Sequence, residues 1–187
     1  MINIALLTTY DNKLIEPFIQ HFSQFENTQI SCVISNKENN IDKKLRKYKI
    51  KSYITKIYKE IDKILTKHNI HYIILINYLD IIPPKFCQKY KYRLINSHPS
   101  LLPKYDDKNI DIVFKQIINN KDKISGISIH FVDYGQPGKI IFQKEFKIGE
   151  NMNWEKLKTK SFEITKIFYP ILIEKIIRST YKKLFKN

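Results

Sequence analysis

Only two cysteines, Cys32 and Cys87, occur in the 187 residues, and they form neither a metal-binding pattern nor a disulfide framework. Both are expected to be small core residues. No segment reaches the roughly 18 uninterrupted apolar residues of a membrane span, and Met1-Ile2-Asn3-Ile4 enters a strand pattern with no basic signal region. A cytoplasmic protein with no membrane partner is the expectation. No internal repeat or low-complexity linker divides the chain, so one domain over residues 1–187 is expected, with 43% hydrophobic residues to form its core. Negative charge is scarce as well: 33 Lys and Arg face 18 Asp and Glu, a formal net charge of +15. A nucleic-acid surface would cluster that charge among stacking aromatics. Lysines instead fall in nearly every block, so no nucleic-acid partner is expected, and the basic surface serves solvation and the steering of anionic small molecules.

The apolar runs that are present alternate in kind. Strand patterns appear at residues 2–7, 29–34, 51–54, 72–76, 94–95, 128–132 and 140–146. Between them lie helical patterns beginning at Leu14, over residues 41–47 and 58–68, and within 107–120, where Ile110, Val113, Phe114 and Ile117 share a face. A last helix is expected over residues 154–178, interrupted at Pro170. This alternation predicts an α/β fold: an open, mostly parallel, twisted sheet flanked by helices. His68 and His71 flank one strand entry with no third ligand apparent, so both are read as surface histidines and no metal site is expected.

Chemistry concentrates between Arg93 and Gln143. The buried run Tyr72-Ile73-Ile74-Leu75-Ile76 makes Leu94-Ile95 a shorter neighbouring strand, whose C-terminal end delivers Asn96 and His98. That edge is where open parallel sheets bind ligands. Two apart on extended chain, these residues project to the same side and can meet one reacting centre. A carboxamide donates to a developing oxyanion without changing charge; an imidazole carries protons near neutrality. The same pair is also compatible with an ordinary strand end.

Ile95-Asn96-Ser97-His98-Pro99-Ser100-Leu101-Leu102-Pro103, followed by Gly126-Ile127-Ser128-Ile129-His130-Phe131-Val132-Asp133, resembles the formyltransferase family that uses N10-formyltetrahydrofolate. Val33-Ile34-Ser35-Asn36-Lys37 and Phe168-Tyr169-Pro170-Ile171-Leu172-Ile173 extend the likeness over almost the whole chain. Within the family, the branch acting on glycinamide ribonucleotide in purine synthesis is the best match. The resemblance implies a Rossmann-like formyltransferase fold, N10-formyltetrahydrofolate as co-substrate, and a small, anionic amine as acceptor. It implies that Asn96 stabilises the oxyanion, that His98 handles protons, and that His130 supports the catalytic loop. Leu79 would lie near the amine, and Ile81, Ile82, Val132 and Asp133 near the folate. Thr9, Asn12, Lys13, Pro99 and Thr165 would face the acceptor.

Several positions depart from the family pattern. The loop 8–13 has no glycine where a glycine-rich phosphate loop is usual, Asp80 replaces an arginine, and Thr165 replaces a glutamate, with Glu163 close by. Aligned back from Ile140-Ile141, the catalytic aspartate position holds Gln136, with Asp133 the nearest carboxylate. Glutamine hydrogen-bonds but cannot favour an imidazolium by charge, so slower transfer, or another group that orients water and sets the histidine charge, is expected. Three functions follow: a transformylase acting on glycinamide ribonucleotide, an N-formyltransferase for a nucleotide-linked amino sugar, and a lapsed homologue that binds folate.

Overall fold

Strands and helices alternate as β1 (Ile2–Thr8), α1 (Ile15–Phe22), β2 (Thr28–Ser35), α2 (Ile41–Arg46), β3 (Lys51–Ile54), α3 (Tyr58–Lys67), β4 (Tyr72–Ile76), α4 (Pro84–Lys89) and β5 (Leu94–His98). The chain continues through α5 (Ile110–Asn119), β6 (Ile124–Asp133), β7 (Gln136–Lys147) and α6 (Trp154–Phe185). The structure, a computed structural model, describes residues 1–9, 13–38, 40–106 and 109–185, with side chains of α6 through residue 179.

The sheet order is β3-β2-β1-β4-β5-β6-β7. Pairings from β3 across to β5 are parallel, and β6 and β7 join antiparallel. The chain builds outward from β1 in one direction, then returns to start β4 on its other side. The β1/β4 boundary is therefore the switch point, and a crevice opens beyond the carboxyl ends of these strands.

All five β4 residues are buried because both faces of the sheet are covered. Tyr72, Ile74 and Ile76 join Ile4 and Leu6 of β1 against α1 and α6, while Ile73 and Leu75 join Ala5 and Leu7 against α3 and α4. Each strand supplies both cores because its side chains alternate. Helix α1 buries Ile15, Phe18, Ile19 and Phe22, one face at helical spacing, and its Pro17 sits in the first turn, where a missing N–H breaks no helical bond. Both cysteines are buried and free, as their isolation in the sequence implied, and burial pushes the Cys32 thiol up to about 12.

Three expectations need correction. Helix α6 runs unbroken through Pro170, because the residues around that proline are anchored by tertiary contacts. Tyr169 is fully buried, packs edge-on against Phe18 at 5.0 Å, and brings its hydroxyl within 3.2 and 3.3 Å of the Leu75 and Ile95 carbonyls. Strand β7 starts at Gln136 rather than Ile140: Tyr134 and Gly135, at φ 47° and 74°, form a two-residue turn that pairs Asp133 directly with Gln136. His68 and His71 are half-buried, not surface residues. His68 Nε2 lies 2.7 Å from the Tyr53 hydroxyl, and His71 Nδ1 accepts the Asn3 amide at 3.1 Å. No helix among the described residues is long and apolar enough to cross a membrane.

Candidate active site

A cleft of about 640 Å³ opens at the carboxyl edge of β4 and β5. Its size is in the range of small-molecule sites. Asn96, Ser97, His98 and Pro99 line its centre, with Leu79 and Ile82 from the β4–α4 connection on one side and Leu14, Phe114, Phe162 and Thr165 on the other. The strand-end pair therefore meets in one cavity, as its two-residue spacing requires.

Asn96 lies opposite His130 across the β5–β6 ladder, and its Nδ2 donates to His130 Nε2 at 3.4 Å. The other ring nitrogen, Nδ1, donates to the Phe131 carbonyl at 2.9 Å, which fixes Nε2 as the acceptor. Burial drives His130 down to about 4, against a raising contribution from the Phe131 carbonyl and with the charge of His98 lowering it further. His130 is therefore a neutral acceptor that orients the Asn96 amide.

His98 lies opposite Ser128 in the same ladder and is 9% exposed. Its Nε2 donates to the main-chain carbonyl of Tyr105 at 2.7 Å, and the Ser100 hydroxyl donates to that same carbonyl at 2.6 Å. Gln136 and Pro137, at the start of β7, reach the cleft from the hairpin. The turn needs glycine at 135: its φ is positive, and a Cβ there would lie 3.0 Å from the Ile82 carbonyl oxygen.

The other expected site residues divide. Leu79, Ile82, Val132, Pro99 and Thr165 line the cleft. Thr165 directs its hydroxyl to the Ser161 carbonyl at 2.8 Å, within its own helix. Ile81 is 65% exposed and rests beside the hairpin turn, outside the cleft lining, and Asp133 is exposed and also outside it. Thr9 is buried and accepts the Leu79 amide at 2.9 Å, so it ties two loops together. Lys13 faces a separate cavity of about 330 Å³ between α1, α2 and α6. Asn12 lies outside the described residues.

Sequence reasoning missed further cleft residues. Asn77 holds φ 49°, a conformation asparagine tolerates better than most residues, and it turns the chain out of β4. Tyr78 follows, its hydroxyl accepting from Tyr58 at 3.3 Å, and burial pushes both phenols up. Among the described lining residues the charged groups are Asp80, Asp106 and Lys158, the last bound to Asp111 at 2.6 Å.

The class these features define is an open α/β sheet with a polar pair set in a ligand-sized cleft at the carboxyl edge of β4 and β5. The chain belongs to the formyl transferase family, whose model matches residues 2–173. It is 33% identical over 114 residues to phosphoribosylglycinamide formyltransferase of Bacillus subtilis, a match covering 60% of this chain and 57% of that protein. It is 37% identical over 121 residues to the trifunctional purine biosynthetic protein adenosine-3 of Chironomus tentans, covering 64% of this chain and 8% of that protein. The crystal structure of phosphoribosylglycinamide formyltransferase from Anaplasma phagocytophilum superposes with a TM-score of 0.86 at 25% identity, over 95% of this chain and 88% of that one.

Proposed function

We propose that this chain transfers a formyl group from N10-formyltetrahydrofolate to a primary amine, with glycinamide ribonucleotide as the acceptor. The observation that carries the reading is the convergence of Asn96 and His98 on one cleft. The relatives' names supply the acceptor, since the Bacillus subtilis and Anaplasma phagocytophilum proteins are both phosphoribosylglycinamide formyltransferases.

In this reading the Asn96 amide, one N–H held by His130, offers its other N–H to the oxygen that becomes negative as the amine adds to the formyl carbon. His98 takes the proton that the attacking nitrogen sheds and returns it to the departing folate nitrogen. Leu79, Ile82 and Val132 give the cleft an apolar wall suited to a flat heteroaromatic ring. Pro99 and Thr165 lie toward the acceptor end.

A second reading, a homologue that binds folate without turning it over, is favoured by Gln136, which brings no charge to the position where the family pattern has aspartate. Incubation with N10-formyltetrahydrofolate and glycinamide ribonucleotide, with the product identified by mass, separates the two. Formylated product supports transfer. Folate binding without product, from this acceptor or from a nucleotide-linked amino sugar, supports the second reading.

A further inference from the structure

We propose that Tyr169 is a positioning residue for Asn96: from helix α6, its hydroxyl fixes the strand end that carries the Asn96 amide at a set distance from the cleft wall at Thr165. The proposal rests on the formyl-transfer reading above for its effect on rate, and on geometry alone for its effect on the amide.

The phenol has one hydrogen and two acceptors within reach, the Leu75 carbonyl at 3.2 Å and the Ile95 carbonyl at 3.3 Å. Both lie beside Asn96. The Ile95 carbonyl belongs to the peptide that enters Asn96, and Leu75 is the β4 residue opposite Asn96 in the parallel ladder. One hydroxyl therefore bridges β4 and β5 where their carboxyl ends open into the cleft. Burial raises the phenol well above its ordinary value, against a lowering hydrogen bond from Ser97, so it stays protonated and remains a donor. Phe18, edge-on at 5.0 Å, fixes where the ring stands.

The same helix grips the other end of the segment. The Ser161 hydroxyl donates to the Pro99 carbonyl at 3.5 Å, so α6 holds the main chain just before Asn96 and just after His98. The spacings match: from residue 161 to residue 169 a helix rises about 12 Å, and from residue 95 to residue 99 an extended chain runs about 13 Å. Thr165 stands midway between the two grips and lines the cleft. The strand end and that wall are therefore set by one helix.

His130 takes one N–H of the Asn96 amide at 3.4 Å from the neighbouring strand. Tyr169 thus sets the main chain of Asn96, and His130 its side chain. Tyr169 is fully buried and outside the cleft lining, so it touches no reacting atom.

The test is Tyr169→Phe, which keeps the ring and removes only the hydroxyl, with circular dichroism to show the fold retained. Nitrogen-15 relaxation of the Asn96 side-chain amide in the full chain, assigned from Asn96→Ala, reads the geometry without any reaction. The amide should be rigid in the natural protein and gain mobility in Tyr169→Phe, while kcat falls about tenfold with KM little changed. In the Asn96→Ala background the same change should cost nothing further, because Tyr169 acts through that amide. A tenfold loss repeated in that background would make the hydroxyl a general structural support and overturn the proposal. An Asn96 amide equally rigid in Tyr169→Phe overturns it whether or not formyl transfer occurs. Should Tyr169→Phe fail to fold, Ser161→Ala releases the other end, and no gain in Asn96 mobility there overturns the proposal as well. A mobile amide in a variant of a protein that formylates no amine keeps the positioning and removes the reaction it serves.

Discussion

Asn96 and His130 form a donor and acceptor pair across the β5–β6 ladder, in which a histidine with 2% exposure holds the amide of a cleft residue through an unprotonated Nε2. The pairing works only while His130 is neutral. Its buried position makes that condition a property of the fold.

Acid stability should report this directly. His130 falls from an ordinary 6.5 to about 4 in the folded chain, so the unfolded chain takes up the proton first. The sign is therefore a stability present above pH 6.5 and lost as pH falls toward 4, reaching about 3 kcal/mol at most. Urea midpoints measured between pH 7 and 4 should fall for the natural protein and fall less for His130→Gln. Equal slopes in that window would refute the assignment.

The second prediction concerns the amide. On the proposed transfer, Asn96→Ala should lower kcat by about a hundredfold or more with KM little changed, because the lost N–H would act on charge that exists only in the transition state. Circular dichroism should show the fold retained. A change confined to KM would place Asn96 in ground-state binding.

Gly135 offers a third check. Alanine there meets a positive φ of 74° and a carbonyl oxygen 3.0 Å from its Cβ, at the turn that places Gln136 in the cleft. Gly135→Ala should destabilise by roughly 1–3 kcal/mol. Thermal melting measures that cost. Activity at a temperature where the variant is folded should also drop, because the hairpin re-aims Gln136.

Much of the architecture was legible because its residues carry period or chemistry. Five consecutive apolar residues made β4 readable, and the face Ile110, Val113, Phe114 and Ile117 made α5 readable. Asn96 and His98 were legible as a pair because strand geometry puts alternate residues on one side. Pro170 misled because local propensity opposes a helix there, while burial of Tyr169 and Ile173 overrides it. Ile81 and Ile82 are alike in sequence, yet the chain between β4 and α4 is not a strand, so only coordinates separate the exposed one from the cleft wall. Tyr105 was invisible because a main-chain carbonyl acts the same under any side chain. The short hairpin was also hidden: Tyr134 takes a positive φ that its residue type gives no reason to expect.

Gln136→Asp tests the electrostatic side of the site. A carboxylate there would favour the imidazolium that forms when His98 accepts a proton. On the proposed transfer, the variant should show a higher kcat across a pH profile. A rate equal to the natural protein's across the profile would mean that the residue at 136 does not reach the histidine.

The most direct measurement is formyl transfer from N10-formyltetrahydrofolate to glycinamide ribonucleotide, followed by folate absorbance, in the natural protein and in His98→Ala. Formyl transfer through His98 requires turnover by the natural protein and a loss of about a hundredfold or more in the variant. Turnover that survives His98→Ala unchanged would contradict it.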